Sequence, residues 1–395
     1  MEPLSTRQIQ TQARKGATDA TIHVQVTKNQ EKTGKNGKPF HVVTLADAEG
    51  ELTLRIFEDK QPYQAVRQLP APGFYAITGR WEASRFGLEC DRWQHRPLEP
   101  AETELLFSGS ATLREKQAAD YATIESLVGG MSDPRLKALC QAFLEEHGQR
   151  FRRTAAAREY HHARRGGLVE HVAQMMRSGA KLAEVYTSTN RDLVLAGVLF
   201  HDCGKLWENA YPETGFKVPH KKIGELLGHI TLGIEVVNTL WRQLEDKGLL
   251  SDWNELKPPS QDVRLHLIHL IASHHGTHEF GSPVLPKTPE ATLLHFIDNI
   301  DAKMEMVLEG YDRGEELAPG IVSRVRPLRH SILAPLPSFE DEGARAEQPP
   351  LAPSTGEDGE EGSLQERVRE PLEPLPPDPG FAVPVPEPPA SEGPI

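Results

Sequence analysis

Residues 193–205 read "LVLAGVLFHDCGK", and the reading of this stretch decides the fold of the larger part of the chain. The first seven residues form an apolar run that belongs in a core. The next six, "FHDCGK" at 200–205, set an imidazole, a carboxylate, a thiol and an ammonium side by side at its end. A His-Asp pair alone is a common coincidence. Its meaning depends on whether other segments bring matching groups to the same place.

Around it the pattern is helical from roughly residue 110 to 330. "PRLKALCQAFLEEHG", "LVEHVAQMMRSGAKLAEVY", "IGELLGHITLGIEVVNTLWRQL", "DVRLHLIHLIASHH" and "TPEATLLHFIDNIDAKMEMVLEGY" all carry apolar residues at three- and four-residue spacing, the signature of amphipathic helices. Thr288 and Pro289 mark one helix start, as N-cap and first-turn proline. An all-α domain of six or more helices is expected over residues 120–330, with no internal repeat.

Several of these helices carry one polar residue where an apolar one belongs. His171, His201 with Asp202, His229, His274 with His275, and Asp298 are the set. A single histidine on an apolar helix face is more often a hydrogen-bonded core residue than a ligand. A whole set of buried polar groups, however, must be satisfied by something. Imidazoles and carboxylates without a thiolate set suit a divalent ion such as Mn, Fe, Co, Ni or Zn.

Residues 20–97 read differently. "TIHVQVTKNQ", "FHVVTLADAEG", "ELTLRIFED", "GFYAITGRWEA" and "FGLECDRWQ" are short, partly alternating and rich in Val, Ile, Thr and aromatics, with turn signals between them. Five strands with little room for crossover helices predict a small Greek-key barrel of OB type over residues 15–98; a piece of a larger sandwich is the alternative. Residues 99–119 are expected to be a linker. Such barrels bind single strands by stacking bases on aromatics and tracking phosphates with cations. The candidates are Lys35, Lys38, Phe40, Arg55, Phe57 and Trp81, with Phe86, Trp93, Arg80 and Arg85 nearby. Most aromatics of so small a barrel belong to its core, so no more than two are expected on the surface. "RFRR" at 150–153 and Lys221-Lys222 are further cations that could line a path to the metal.

The net charge of −13 is a property of the end of the chain. From Glu340 to Ile395 there are 14 acids against three arginines, and 13 of the 32 prolines. Such a composition predicts disorder from 340 to 395. The preceding residues are close to neutral, so overall charge neither supports nor excludes a nucleic-acid partner. The chain has no apolar run long enough to span a membrane, and the start "MEPLSTRQIQ" lacks a signal-peptide pattern. A cytoplasmic protein is expected. The three cysteines, Cys90, Cys140 and Cys203, suggest neither a disulfide framework nor a Cys-rich zinc site.

The order His171 … His201-Asp202 … Asp298 resembles the signature of the HD-domain phosphohydrolases. "HHARRGGLVEHV", "FHDCGK", "IGELLGHI", "ASHHGTHEFGSPVLPKTPEA" and "HFIDNIDAKM" are similar to segments of the YhaM-type 3′–5′ exoribonucleases, which place an OB-fold before an HD domain. The resemblance covers roughly residues 15–325, and Arg164-Arg165 departs from it. It implies that His171, His201, Asp202 and Asp298 hold a first metal. It implies for His229 and His274 a second metal or the scissile phosphate, with Asp202 shared between ligation and catalysis and Lys205 facing the substrate phosphate. Mn²⁺ is the expected ion, with Co²⁺, Fe²⁺ or Ni²⁺ as alternatives and one or two ions bound. The implied activity is 3′–5′ hydrolysis of single-stranded RNA, with single-stranded DNA as a further substrate, to nucleoside 5′-monophosphates. Two other functions fit parts of the sequence: hydrolysis of small cyclic or triphosphate nucleotides, and nucleic-acid binding around a structural metal. A homo-oligomer and a partner for the tail are left open.

Overall fold

A computed structural model describes residues 3–84, 87–158, 162–246, 253–326 and 328–336, with the side chains at 312 and 313 excepted. The expectations for Arg85 and Phe86 and for the tail at 340–395 fall outside the described residues.

The N-terminal part is a five-stranded antiparallel sheet: β1 (Thr18–Thr33), β2 (Pro39–Ala46), β3 (Glu51–Phe57), β4 (Gly73–Ser84) and β5 (Gly87–Pro97). The order is β3-β2-β1-β4-β5, and β3 returns against β5. Trp93 N donates to Gln61 Oε1 at 3.0 Å near this closure. This is the connectivity expected of an OB-type barrel. Alternation decides which side chains face inward. On β3, Leu52, Leu54 and Ile56 are buried while Glu51, Thr53 and Arg55 are exposed. Short helix α2 (Tyr63–Arg67) turns Tyr63 and Val66 into the barrel. Helix α1 (Thr6–Lys15), begun by a Ser5–Gln8 capping box, buries Ile9 and Ala13 against the barrel.

The sequence expectation of a linker at 99–119 is not what the structure shows. Helix α3 (Pro100–Ser108) and the first half of α4 (Ala111–Gly129) occupy it. Pro100 opens α3 and the Ser110 hydroxyl caps α4 by accepting from Leu113 N. Tyr121, Ile124 and Val128 of α4 enter the core of the helical part. A small apolar cluster of Ala46, Ala48, Leu106, Leu113 and Phe216 joins barrel, α3, α4 and helical part.

The helical part continues with α5 (Pro134–Phe151), α6 (Gly167–Val185), α7 (Arg191–Phe200), the one-turn α8 (Lys205–Glu208), α9 (Lys222–Asp246), α10 (Ser260–Ser273) and α11 (Pro289–Arg313). A small sheet, β6 (Glu316–Ala318), β7 (Ile321–Val322) and β8 (Ile332–Leu333), follows. Helix α7 is the hub. Every residue from Asp192 to Phe200 is buried, and α5, α6, α10 and α11 all pack on it. Burial of each Leu, Val or Phe contributes about 1.5–3 kcal/mol. The C-terminus of α7 is therefore a firm platform for whatever follows it. No helix among the described residues is long and apolar enough to cross a membrane.

Candidate metal centre

His201 and Asp202 follow α7 directly, both buried. His201 Nδ1 lies 2.7 Å from the Val198 carbonyl oxygen. A carbonyl can only accept, so Nδ1 carries the hydrogen and Nε2 presents a lone pair to the site. The same device recurs at the end of α10, where His274 Nδ1 lies 2.8 Å from the Ile271 carbonyl. In both cases a helix end supplies one of its unpaired carbonyls, three residues back, to orient a histidine.

His171 on α6 is fully buried, and its Nδ1 donates to Asp301 Oδ2 at 2.7 Å. The same carboxylate oxygen is 3.0 Å from His162 Nε2. His171 Nε2 is thus aimed at His201 Nε2, 3.3 Å away, and at Asp298 Oδ1, 3.4 Å away. Asp202 Oδ2 lies 3.2 Å from His201 Nε2 and 3.8 Å from His171 Nε2. The four residues His171, His201, Asp202 and Asp298, scattered over α6, the α7 end and α11, meet at one point.

The other oxygen of Asp202 faces a second group. Oδ1 is 3.4 Å from His229 Nε2 and 3.8 Å from His274 Nε2. These three buried atoms, Asp202 Oδ1, His229 Nε2 and His274 Nε2, have no hydrogen-bond partner. His275 stands beside them, its Nδ1 fixed by the Phe280 carbonyl at 2.7 Å. His229 reaches the site because its helix approaches unusually closely. A Cβ on Gly204 would sit 1.9 Å from the His229 carbonyl oxygen, so only glycine fits two residues after Asp202. Gly228, at φ 69°, turns the backbone just before His229, a conformation that costs glycine little.

The electrostatics agree with a cation site. Burial works to lower the pKa of His171, but Asp298 and Asp301 outweigh it and push the value up to about 10. A proton is held where a doubly charged ion would do the same service. Burial works to raise Asp298, yet the bond from His171 and the nearby His201 hold it well below the usual carboxylate range. Asp202 is likewise held low, against burial, by Lys205 and His201. His274 moves the other way, lowered by burial and by His201. It is a neutral imidazole with a free lone pair, the form a metal requires.

Two groups of three, His171–His201–Asp202 and His229–His274–His275, each bring ligand atoms within 4.8 Å of one another. Lone pairs converging on Nε2 atoms, orphaned buried acceptors and an all-N/O donor set fit divalent ions. Asp202, a member of the first group, turns its other oxygen toward His229 and His274 of the second.

The sequence reading missed His162, Asp301 and Glu170. Asp301 follows Asp298 by three residues on α11, the spacing that puts two side chains on one helix face, so "DNIDAK" carried the signal. Glu170 is buried beneath the site, where Arg164 Nε and Nη2 grip it at 2.9 and 2.6 Å. Lys116 and Gln117 of α4 add to the grip. Burial opposes ionisation of Glu170, but Arg164 and Lys116 hold its pKa down to about 2. The Arg164 expected to depart from the family pattern is thus a structural cation, tied also to Glu305 at 3.2 Å. Lys205 Nζ is 2.6 Å from Asp202 Oδ2, so it stands against the ligand set itself.

On the barrel, the structure separates the expected contacts. Trp81 is a correction. It is fully buried, its Nε1 donating to the Ala20 carbonyl at 3.1 Å, because it shares the inward phase of β4 with Tyr75 and Ile77. It cannot stack on a base. Trp93 is buried as well. Phe40 and Phe57 face each other across β2 and β3 on the outer side, with centroids 5.4 Å apart and stacked rings. Arg55 is exposed on the same face, and Lys35 and Lys38 are exposed in the β1–β2 turn.

Fold and site together define an HD-domain protein with a barrel in front. A family model described as HD domain matches residues 168–303. Among curated relatives, the 3′-5′ exoribonuclease YhaM of Oceanobacillus iheyensis is 32% identical over 73% of this chain and 84% of its own length. That of Bacillus subtilis is 33% identical over 70% and 83%, and that of Bacillus pumilus 30% over 76% and 88%. The chain belongs to the YhaM exoribonuclease family. No solved structure gives a significant match.

Proposed function

We propose that the chain is a metal-dependent 3′–5′ exonuclease. It shortens single-stranded RNA, and single-stranded DNA as a second substrate, releasing nucleoside 5′-monophosphates. The observation that carries the reading is the two-sided Asp202. Oδ2 faces His171 and His201, while the orphaned Oδ1 faces the unpartnered Nε2 atoms of His229 and His274. The names borne by the relatives supply the polarity and the RNA substrate.

His171, His201, Asp202 and Asp298 would hold a divalent ion, manganese in our reading, which when bound would neutralise phosphoryl oxygens and lower the pKa of water towards neutrality. The chain's own residues set the stage for that chemistry. Asp301 fixes the His171 tautomer from behind, and the Val198 and Ile271 carbonyls fix those of His201 and His274. Lys205, partly exposed beside Asp202, is the cation nearest to an entering phosphate. The Phe40–Phe57 pair with Arg55, Lys35 and Lys38 forms the strand-holding face of the barrel.

The test is incubation of 5′-labelled single-stranded RNA with the purified chain, in Mn²⁺ or in EDTA, alongside His201→Ala and Asp202→Ala. A ladder shortening from the 3′ end, only with metal and the intact pair, is expected. Turnover of free nucleotides alone, or binding without cleavage, would contradict the reading.

A further inference from the structure

A cavity of about 510 Å³ lies where the barrel, α3, α4 and α5 come together. Four arginines line it, Arg114, Arg152, Arg153 and Arg165, against Glu104 and Glu213. Neither glutamate neutralises the arginines closely. Glu213 is largely exposed and stands 3.6 Å from Arg153. Among the described residues the other contacts of these guanidiniums are to carbonyls and a ring. Arg114 Nη1 donates to the Gly109 carbonyl at 2.6 Å and Arg165 Nη1 to that of Pro212 at 2.7 Å. The Arg152 guanidinium lies 3.7 Å over the Tyr121 ring. Such contacts fix the fork but leave its charge in place.

The cations also crowd one another. Arg165 is lowered by burial and by Arg153, and Arg150 by burial and again by Arg153. Lys221 is lowered by burial, by Arg150 and by Arg153. Arg153 is therefore the centre of a positive cluster that the fold alone leaves underneutralised. Four guanidiniums facing two carboxylates, with the one pair among the described residues at 3.6 Å and its glutamate largely exposed, favour a phosphate, whose oxygens match the bidentate fork.

The cluster also has a direction. Arg150 Nε donates to the Leu206 carbonyl at 2.6 Å and its guanidinium lies 5.2 Å from the Trp207 ring. Leu206 follows Lys205, which is bonded to Asp202. On the other side Ala48, from the turn between β2 and β3, lines the cavity. Arg150, whose charge acts on Arg153's neighbourhood, thus ties the cluster to the one-turn helix α8 that Lys205 opens.

We propose that this arginine-lined cavity holds backbone phosphates of the RNA strand between the barrel and the metal centre. The proposal rests on the reading of the chain as an RNA exonuclease. It adds a site on the substrate's path, separate from the metal ligands and from the Phe40–Phe57 face.

The experiment measures binding of a fluorescent twenty-nucleotide single-stranded RNA in EDTA across a salt series, for the full chain, Arg153→Gln and Arg153→Lys. Metal-dependent shortening of the same RNA by the wild type is followed in parallel. Arg153→Gln should weaken binding about 3–10-fold and reduce the log–log salt slope by about 0.7, the value for one phosphate contact on a single strand. Arg153→Lys should restore most of the slope, and the loss should be larger for the twenty-mer than for a dinucleotide. If the wild type shortens RNA while Arg153→Gln binds it with unchanged affinity and slope, the cavity is not on the strand's path. Failure of the wild type to shorten RNA would instead strike the underlying reading. Stabilisation of the wild type by inorganic phosphate or AMP, lost in Arg153→Gln without change in RNA binding, would make the cavity a small-anion site and overturn the proposal.

Discussion

The candidate metal centre and the barrel face hold their candidate side chains in opposite ways. In the helical part every histidine of the first group is buried and fixed from behind, His171 by Asp301 and His201 by Val198. On the barrel, the candidate contacts are exposed lysines, an exposed arginine and a stacked Phe pair on the outer side of a sheet. The first arrangement costs stability until an ion satisfies it, because buried acceptors without partners carry a desolvation penalty. The second costs almost nothing and gains only on contact with a ligand. Under the proposed function, chemistry that tolerates little displacement would be built on core helices, and sequence-tolerant strand holding would be left to a surface.

Substitutions should expose that contrast in size. The largest effect is expected at the shared carboxylate. Asp202→Asn should cost at least about 10³-fold in metal-dependent turnover, more than the 10–100-fold typical of outer-layer partners, read by single-turnover degradation of labelled RNA. Glu170→Leu should come next, as a stability loss of about 3–5 kcal/mol in denaturant unfolding. It would take from the buried Arg164 its two-pronged partner, leaving Glu305 alone against it, and would leave Lys116 to Asp120. Asp301→Asn should lower metal affinity about 10–100-fold, measured by metal titration, with the fold intact by circular dichroism.

The barrel effects should be smaller and should leave turnover at saturating RNA intact. Phe40→Ala should weaken single-stranded RNA binding by about 1–3 kcal/mol, the range for one lost stack. Trp81→Phe should lower barrel stability, through the lost bond to Ala20, without a selective loss of RNA affinity. Smallest of all, Lys38→Gln should reduce the salt slope of binding by about 0.7. Barrel substitutions that abolish turnover outright at saturating RNA would break the division between the two regions.

What the sequence disclosed follows the same division. The candidate ligands were legible because a histidine or aspartate interrupting an apolar helix stripe, as His171 and His201 do, needs a partner. Their supports were harder to see. His162 lies outside any helix, and Asp301 shows only that it shares a helix face with Asp298, so their contacts with His171 and with each other depend on a tertiary approach. The same holds for Arg164, whose charge looked like a departure from the family pattern until Glu170 and Glu305 were found around it. On the barrel the strands were legible from alternation, and that alternation already put Trp81 in phase with Ile77. Its size and chemistry suggested a stacking platform, whereas its phase along β4 placed it in the core. The segment at 99–119 carried usable helix starts at Pro100 and Ser110. Its helices remained hidden because their apolar faces are short and are completed by residues distant in sequence, Ala46 and Ala48 of the barrel and Phe216 among them.

The account depends on one carboxylate serving two groups of ligands. Anomalous diffraction from crystals equilibrated with Mn²⁺ tests this directly. A peak among His171, His201, Asp202 and Asp298, with a second at Asp202 Oδ1 near His229 and His274, is the predicted result. Crystals with ordered side chains and no anomalous density at either position would contradict it.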